Sequence, residues 1–407
     1  MLRLDPSFRR HCGLVVLAGL MCLLVPAIAH ATFSIVAVDT LTGAVGSAGS
    51  SCIAGSKIIH DCIEGVGAIN TQALYNTTNQ SNAHALMLSG LTPDSILSWL
   101  QLHDATNQPQ IRQYGIVTLA GSGASGSFTG ANCTAWAGHR TGPGYAIQGN
   151  ILLGAQIVDS MEAAFLSTAG PLEERLMAAI EAADVPGADT RCLSCNKPTI
   201  SAYIKVIHLG DGATPYLYTF IDNTDCATNP LPILRSQYDA WKALQQADAD
   251  SSIFTVTEAS LPVGGNDSVA VILIPRNYTG APPNQGVTAV SVTNSGGGTL
   301  RPVTDNGDGS YSTWLISALA FGTDQLTAHV TAGGVTTEVA AHPLISYFIY
   351  GDADGTGAIS ISDAVFLISY IFAGGSAPVP LASGDADCSG AVNISDAVYL
   401  IQYIFAG

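Results

Sequence analysis

TFSIVAVD, residues 32–39, is an apolar stretch that begins directly after a signal for export. Residues 1–31 carry three arginines near their start, continue with an apolar run and end in Ala29-His30-Ala31, whose small residues are those that signal peptidase reads. We therefore expect a signal peptide over residues 1–31 and a mature protein that begins at Thr32. The stretch itself is apolar on both faces of a strand except at Ser34, which predicts a sheet covered on both sides.

A threonine at the mature N-terminus combines two reactive groups in one residue. Its hydroxyl is a nucleophile, and its α-amine is a base that becomes available only when the preceding chain is removed. Such an amine has a pKa of about 7.7 to 8.0, so at the lower value roughly a sixth of it is neutral at pH 7. Export would then also activate the protein, with Thr32 as the nucleophile. The alternative is that Thr32 is merely the residue that follows a signal peptide.

The pattern of the following residues predicts alternating groups of strands and helices. One helix should begin where Thr92 provides the cap and Pro93 the first helical position. Paired strands, paired helices and further strands predict two stacked sheets between helix layers. The strands are expected at residues 32–38, 44–50, 65–72, 114–120, 144–150, 199–208 and 216–222, and the helices at 80–88, from 93 onward, at 155–167, 172–183 and 234–247.

Three motifs in this region occur in the order found in one known family. TFSIVAVD, GVGAINTQALYN at residues 65–76 and GHRTGPGYAIQGNILLG at 138–154 resemble the bacterial domain of unknown function 1028 family over about residues 32–222. That family is grouped with the N-terminal nucleophile hydrolases and has no settled substrate. The resemblance implies an α+β head, a four-layer αββα sandwich over residues 32–250, and the nucleophile role for Thr32.

A nucleophile at Thr32 needs hydrogen-bond donors for the oxyanion, and amide side chains in two strands are the candidates. Asn70 and Gln72 alternate onto one face of the third strand, and Gln148 and Asn150 do so in the AIQGN motif. Amide side chains suit a site that binds neutral polar groups such as peptide bonds. The candidate catalytic set is therefore Thr32, Asn70, Gln72, Gln148 and Asn150, with the alternative that each amide is an ordinary structural residue.

Three other polar residues near these motifs have simpler explanations. Asp189 and Arg191 could orient the amine of Thr32, but an ordinary ion pair is the simpler interpretation. His139 lies in a glycine-rich stretch, where a histidine usually caps a turn. All three are therefore left out of the catalytic set.

Charge and hydropathy exclude several classes of partner. Without residues 1–31 the chain keeps 11 basic and 30 acidic residues, a net charge of −19. Such a surface repels nucleic acid and anionic lipid, so neither is an expected partner. Beyond the signal peptide no apolar run approaches the roughly 18 residues that cross a bilayer, so no membrane span is expected and the protein should be secreted, extracellular or associated with the cell surface.

Six cysteines lie within residues 32–250 and a seventh, Cys388, lies near the end of the sequence. Export exposes them to oxidising conditions, so disulfides are expected, although the sequence cannot choose their pairing. Cys192 and Cys195 have the CxxC spacing of redox and zinc sites, but no second such pair accompanies them, and a structural bridge is the simpler interpretation. We expect about one free thiol, with Cys388 as the favoured residue.

Residues 251–343 are rich in Val, Thr, Gly and Ser and alternate in short strands, which predicts an all-β sandwich. The run DNGDGSYSTWL at 305–315 resembles the invasin-type and filamin-type immunoglobulin-like modules that space domains in exported bacterial proteins. Asp305 and Asp308 could suggest calcium, but no acidic residue closes the loop. A hairpin turn is therefore the simpler interpretation.

The end of the sequence is an internal repeat with a period of 33 residues. GDADGTGAISISDAVFLISYIFAG at 351–374 recurs as GDADCSGAVNISDAVYLIQYIFAG at 384–407, and each copy opens with acids at loop positions 1, 3 and 12 and glycine at position 6. Alternate carboxylates on a sharply turning loop converge on one hard cation, so we expect two calcium ions, one in each copy. The alternative is a pair of acidic turns. The expected ligands are the side chains of Asp352, Asp354, Thr356, Ser360 and Asp363 with the carbonyl of Ala358, and the side chains of Asp385, Asp387, Ser389, Asn393 and Asp396 with the carbonyl of Ala391.

A single predicted helix follows each loop, and no helix precedes the loop. This duplicated loop–helix arrangement resembles a type I dockerin over residues 350–407. The resemblance implies a small all-α tail with EF-hand-like calcium loops that docks to a cohesin on another protein. Loop positions 10 and 11, Ile361-Ser362 and Ile394-Ser395, depart from the family where partner choice is usually read, and the helices are unusually apolar. The partner could therefore be something other than a family-typical cohesin, or the tail could pack on its own chain.

Two functions from different classes fit this multidomain order. In the first, the protein is an exported amide-bond hydrolase with Thr32 as nucleophile, acting on a peptide or cell-wall amide and attached through its calcium-dependent tail to a cohesin-type partner. In the second, the head is inactive and the protein is a non-catalytic component of a cell-surface or extracellular assembly.

Overall fold

The computed structural model of the protein describes residues 32–406, so the expected signal peptide at residues 1–31 lies outside the described residues. Compact packing divides the described chain into two units, with the boundary between Tyr238 and Asp239. The domain limits expected from composition, 32–250, 251–343 and 350–407, stay predictions.

The first unit contains a six-stranded antiparallel sheet. Its strands are β1 (Thr32–Asp39), β2 (Ala44–Ser51), β7 (Gly138–Gly142), β8 (Tyr145–Asn150), β9 (Ser201–Ile207) and β10 (Leu217–Ile221). Their order is β10-β9-β2-β1-β8-β7, which leaves β1 paired on both sides. The strand that the TFSIVAVD motif predicts is thus in the interior of the sheet.

A second antiparallel sheet has four strands, β3 (His60–Ile63), β4 (Gly67–Ala73), β5 (Arg112–Thr118) and β6 (Ser125–Thr129), in chain order. Strand β1 contacts β4 and β5 of this sheet, and β2 contacts β4. A buried apolar cluster that includes Val36, Val38, Ala68 and Val117 lies between the two sheets. On the face of β1 that packs against the four-stranded sheet, the side chains change from apolar at Val38 to polar at Thr32. The Thr32 end of the strand can therefore hold a polar functional site.

Four helices of the first unit pack on these sheets. They are α1 (Thr77–Leu88), α2 (Pro93–Leu102), α3 (Gln156–Ser167) and α4 (Leu172–Glu181). Helices α1 and α2 contact the four-stranded sheet, whereas α3 and α4 contact each other and the six-stranded sheet. Helix α2 begins as the sequence predicts, because the Thr92 side chain accepts a hydrogen bond from the Ser95 backbone and Pro93 occupies the first turn.

Three strands of this unit, β3, β6 and β7, are not expected from the sequence. Each has four or five residues, and most of those residues are only half-buried, so their hydrophobic patterns are too short to identify. His139 consequently lies in strand β7, which corrects its interpretation as the cap of a turn.

The second unit contains many short strands in two further sheets. They are β11 (Ile253–Val256), β12 (Ser260–Pro262), β13 (Ser268–Ile274), β14 (Val287–Asn294), β15 (Thr299–Leu300), β16 (Thr304–Asp305), β17 (Tyr311–Ile316), β18 (Gly322–Ala332), β19 (Val335–Glu338) and β20 (Leu344–Phe348). One sheet has the order β11-β13-β17-β15, with β16 paired to β17, and the other has the order β12-β20-β18-β14, with β19 paired to β18. A buried core that includes Val271, Leu315, Val330 and Tyr347 joins residues of both sheets.

Helices occupy the end of the described chain and the junction between the units. Helix α5 (Pro230–Gln245) crosses the boundary, and α6 (Ile361–Ala373) and α7 (Ile394–Ala406) follow the two acidic loops. The described chain is thus multidomain, with a head of helices and sheets, a middle region of many strands and a helical end, as the sequence predicts. The four-layer order of the head and the immunoglobulin-like class of the middle region stay predictions.

Two disulfides form in the described chain, Cys52–Cys192 and Cys195–Cys226. The two cysteines of the CxxC motif therefore bond to separate, distant partners. Among the described residues three cysteines, Cys62, Cys133 and Cys388, are free, so the expectation of about one free thiol is wrong. Cys133 Sγ instead donates a hydrogen bond to the carbonyl oxygen of Arg112.

None of the helices within residues 32–406 combines the length and the hydropathy that a bilayer crossing demands.

Candidate functional site

Thr32 lies between two neighbouring strands at the polar end of β1. It pairs with Asn150 of β8, and the register that pairs Phe33 with Ser50 places Ser51 of β2 on its other side. Thr32 is 1% exposed, and its Oγ1 donates a hydrogen bond to Ser51 Oγ over 3.2 Å. The candidate nucleophile is therefore enclosed in the full-length chain rather than displayed on its surface.

Two of the predicted amide residues connect to Thr32 and its strand. Gln72 Nε2 donates to the carbonyl oxygen of Thr32 over 3.2 Å. Ser34 Oγ donates to Gln72 Oε1 over 2.7 Å and accepts from Gln148 Nε2 over 2.7 Å. A Cβ added to Gly115 would collide with Gln148 Oε1, so glycine is required there to admit the Gln148 amide. The structure thus brings Thr32, Gln72 and Gln148 together, with Asn150 as the strand partner of Thr32.

Gln113 of β5 extends this network and was not identified from the sequence. Its Oε1 accepts from Gln72 Nε2 over 2.7 Å, and its Nε2 donates to the Gly149 carbonyl and to Thr129 Oγ1, each over 2.9 Å. Gln113 is fully buried, but it lies before the strand expected at residues 114–120 and next to Arg112, so its sequence context does not indicate burial.

Asn70 makes its hydrogen bonds in a second network farther along β4. Its Oδ1 accepts from Ser47 Oγ over 2.8 Å and from Tyr203 OH over 3.3 Å. Burial is the main cause that raises the pKa of Tyr203 well above its ordinary value, so this hydroxyl stays protonated and can donate. These contacts involve the amide oxygen of Asn70 and do not include Thr32.

An ion pair lies next to the Thr32 hydroxyl. Arg191 Nη2 donates to Asp189 Oδ2 over 2.8 Å and Arg191 Nε donates to Asp189 Oδ1 over 3.1 Å. Arg191 Nη2 also donates to Ser51 Oγ over 3.4 Å. The ion pair that the sequence suggests is thus present, and the same arginine reaches the hydroxyl that accepts from Thr32.

Ser51 is a site residue that the sequence analysis missed. The hairpin of β1 and β2 pairs Asp39 with Ala44, and counting back along both strands places Thr32 opposite Ser51. The predicted strand ends, Val38 and Ala44, would instead place Ser50 opposite Thr32, because the observed pairing extends one residue further, to Asp39.

His139 lies at the edge of the same network. Its Nδ1 is 2.8 Å from Thr129 Oγ1, the hydroxyl that accepts from Gln113. Burial, and then the charge of Arg140, lower the pKa of His139 below its ordinary value, so the ring is neutral at pH 7. A neutral imidazole here orders the Thr129 hydroxyl and brings no charge to the site.

The two acidic loops have matching geometry. In the first loop, carboxylate oxygens of Asp352, Asp354 and Asp363 lie within 4.8 Å of one another. The backbone N–H of Gly357 donates to Asp352 Oδ2 over 2.8 Å, and that of Ser360 donates to Asp363 Oδ2 over 2.8 Å. These backbone donors fix the orientation of the carboxylates around a common point.

The second loop repeats these contacts. Asp385, Asp387 and Asp396 place carboxylate oxygens within 4.8 Å of one another. Gly390 N–H donates to Asp385 Oδ2 over 2.8 Å, and Asn393 N–H donates to Asp396 Oδ2 over 2.7 Å. All donor atoms at the converging point are oxygens, the donor set that calcium prefers, so the residues fit this ion.

The other predicted ligands contact one another or cap a helix within each loop. Thr356 Oγ1 is 3.5 Å from the Ala358 carbonyl oxygen, and Ser389 Oγ is 3.4 Å from the Ala391 carbonyl oxygen. Ser360 and Asn393 accept backbone hydrogen bonds at the starts of helices α6 and α7. Their side chains therefore cap the helices, and a metal contact there would pass through a water molecule, as is common at this loop position.

Family models match two parts of the chain. Residues 32–231 match the family of unknown function DUF1028, and residues 350–405 match the dockerin type I domain. Dockerin type I domains bind calcium, dock to cohesin partners and occur on extracellular proteins. No curated protein matches the chain.

Solved structures similar to this chain include one from the same family. A DUF1028 protein of Silicibacter pomeroyi is 24% identical, with 52% of this chain and 88% of that chain covered and a TM-score of 0.44. The adhesin InvE of Yersinia pseudotuberculosis is 22% identical, with 26% and 28% covered and a TM-score of 0.22, so the chain spans about a quarter of that adhesin. The Lin-41 filamin domain is 11% identical, with 25% and 96% covered and a TM-score of 0.20.

All three TM-scores are low, and none of these likenesses carries a conclusion about activity. The family matches and the acidic loops together identify the two ends of the described chain. The protein carries a domain of the DUF1028 family at residues 32–231 and a type I dockerin domain at residues 350–405.

Proposed function

We propose that the protein is an exported amide-bond hydrolase whose nucleophile is Thr32, freed as an N-terminal residue by signal cleavage. The observation that carries this proposal is the position of the Thr32 hydroxyl, at the start of an interior strand and 3.2 Å from a serine that an arginine also contacts. Hydroxyl, amide and guanidinium groups in one buried place are the components of an acyl-transfer site.

The proposed head is a four-layer αββα sandwich over residues 32–250. Its support is that β1 and β2 contact the four-stranded sheet, while one helix pair contacts each sheet. The proposed middle domain, residues 251–343, is an immunoglobulin-like spacer. Its support is a shared core between two sheets of short strands.

In the proposed reaction, the α-amine of Thr32 takes the proton of Oγ1 as this oxygen attacks the carbonyl carbon of the amide. Amide donors near the strand end, with Gln148 and Asn150 as candidates, stabilise the oxyanion, while Gln72 holds the Thr32 carbonyl in place. The amine then returns the proton to the leaving nitrogen as the C–N bond breaks, which leaves an ester on Thr32. Water hydrolyses this ester and restores the hydroxyl. The candidate substrates are neutral amides of peptides or of the cell wall.

The tail supplies attachment in this proposal. Each loop would hold one calcium ion through the three aspartates that converge in it, and calcium would order helices α6 and α7 for contact with a cohesin-type partner. The apolar character of these helices supports a docking role, because Val365, Phe372, Val398 and Phe405 are exposed.

A non-catalytic assembly protein is the second candidate, and one observation favours it. Thr32 is 1% exposed, so a substrate cannot reach its hydroxyl in the full-length chain as it stands. If removal of residues 1–31 does not open the site, the head is an inactive component and the dockerin domain carries the function.

A screen of amide substrates with mature protein tests the proposal. Once a cleaved amide is found, Thr32→Ala should abolish cleavage and Thr32→Ser should keep part of it, since serine retains the hydroxyl but loses the methyl that restricts its rotamer. The matched control is Thr40→Ala, which removes a hydroxyl from the exposed hairpin turn and should cleave as wild type does. Cleavage by Thr32→Ala at the wild-type rate would overturn the assignment.

A further inference from the structure

The Thr32 hydroxyl lies at one end of a hydrogen-bond path that starts from a cation. Thr32 Oγ1 donates to Ser51 Oγ over 3.2 Å, and Arg191 Nη2 donates to the same oxygen over 3.4 Å. Ser51 Oγ therefore accepts from the hydroxyl and from the guanidinium at once. Such a contact fixes the side-chain rotamer of Thr32 and places a positive charge near an oxygen that must become nucleophilic.

Asp189 holds the guanidinium in a fixed orientation. It accepts from Arg191 Nε and Nη2 through separate carboxylate oxygens, the two-point geometry that restricts an arginine most. Asp189 is fully buried, and its Oδ2 also accepts from the backbone N–H of Cys52 over 2.7 Å. The carboxylate thus connects the arginine to the residue that directly follows Ser51.

A disulfide joins the two segments at the same place. Cys52 directly follows Ser51 and Cys192 directly follows Arg191, and their Cα atoms are 5.8 Å apart. The bonded residues are separated by 140 positions in the sequence, and Arg191 belongs to a short 3₁₀ segment, Thr190–Cys195, that is part of neither sheet. The covalent bond therefore reinforces the hydrogen bonds that Asp189 and Arg191 make with the end of β2.

We propose that Ser51 and Arg191 are positioning residues for Thr32, and that closure of the Cys52–Cys192 disulfide completes the site. This inference rests on the proposed function of Thr32. Bond formation removes two protons and two electrons from the two thiols, and an oxidised dithiol carrier of the export compartment accepts them and becomes reduced. The enzyme is then inactive until it is both cut before Thr32 and oxidised, two conditions that coincide only after export.

Acylation of mature protein by a reactive ester probe, followed by mass spectrometry of the N-terminal peptide, tests the inference. The double variant Cys52→Ser, Cys192→Ser should acylate Thr32 about 100-fold more slowly, the size of effect that loss of positioning produces. Its matched control is Cys195→Ser, Cys226→Ser, which removes the other disulfide of the same 3₁₀ segment and should stay within about threefold of wild type. Circular dichroism establishes that each variant is folded.

Single variants that keep both disulfides separate positioning from stability. Arg191→Gln and Ser51→Ala should lower the acylation rate at saturating probe concentration. The probe concentration that gives half of the maximal acylation rate should change little. Arg191→Lys and Ser51→Thr should recover part of the loss, because a cation or a hydroxyl is restored. A merely structural role would move melting temperature without this rescue. If the double cysteine variant fails to fold, these single variants decide.

The outcomes distinguish this inference from the proposed function. If wild-type mature protein is not acylated at Thr32, the proposed function fails and the inference falls with it. If wild type is acylated and both the folded double cysteine variant and Ser51→Ala react at the wild-type rate, only the positioning and oxidation inference is overturned.

Discussion

Removal of calcium should unfold the dockerin domain while the DUF1028 domain stays folded. The dockerin domain brings three carboxylates together within 4.8 Å in each loop, so without a cation these groups repel one another. Its buried apolar core is small: four alanines and two leucines, Ala353, Ala364, Leu367, Ala386, Ala397 and Leu400, with five partly buried apolar side chains packed against them. A core of this size cannot offset the cost of ordering the domain without the ions.

The magnitude follows from ligand linkage. An ion that binds the folded state alone stabilises it by about 2.7 kcal/mol when its free concentration is 100 times its dissociation constant. Two such sites contribute about 5 kcal/mol, which equals the whole stability of many small domains. Chelation should therefore move the domain from largely folded to largely unfolded.

Hydrogen exchange of the full-length protein, with and without chelator, measures this loss of structure in α6 and α7. Calcium titration calorimetry should give two sites, falling to one in Asp352→Asn and in Asp385→Asn. Asp308→Asn is the matched control, because Asp308 is an acid in a turn where its carboxylate accepts from the Ser310 backbone. Equal protection of both helices in chelator, or an unchanged stoichiometry in both loop variants, would refute the reasoning.

Three further predictions concern the remaining parts of the chain. Asp104→Asn should lower the free energy of unfolding of the head by about 3–5 kcal/mol in urea denaturation, because it removes the carboxylate that lies 2.7 Å from the buried Arg112 guanidinium. A decrease of less than about 1 kcal/mol would count against this prediction. Denatured, unreduced mature protein should show three free thiols, and a count of one or of five would contradict the disulfide pairing. In the native state Cys388 alone should react quickly with a thiol reagent, because burial raises the pKa of Cys62 to about 12 and also raises the pKa of Cys133. Deletion of residues 350–407 should release the protein from its cell-surface or multiprotein fraction, and an unchanged distribution would instead favour a tail that packs on its own chain.

Secondary-structure elements that depend on a few adjacent residues could be predicted from the sequence. The apolar run of TFSIVAVD predicts β1, and the Thr92-Pro93 pair predicts the start of α2, because a strand pattern and a helix cap depend on adjacent residues. The acidic repeat likewise predicts two matching loops, since all of its carboxylates lie within twelve positions of each other. Each of these features is encoded in one short segment.

Long-range contacts were the part that the sequence could not supply. Cys52 and Cys192 are 140 positions apart, and nothing in the CxxC spacing indicates that its two cysteines bond to different partners. Arg191 and Ser51 are the residues that directly precede these two cysteines, so their contact was equally hidden from the sequence. Short, half-buried strands such as β7 could not be predicted for a local reason: they contain too few apolar residues to form a recognisable hydrophobic pattern.

The central claim is that Thr32 is an N-terminal nucleophile. The most direct measurement is mass spectrometry of exported protein after treatment with an amide-mimicking electrophile, which reads the mature N-terminus and the acylated atom in one peptide. The account predicts a peptide that begins at Thr32 and carries the acyl group on its side-chain oxygen, with no adduct in Thr32→Ala. A mature protein that begins elsewhere, or a Thr32 that stays unmodified while another residue reacts, would contradict it.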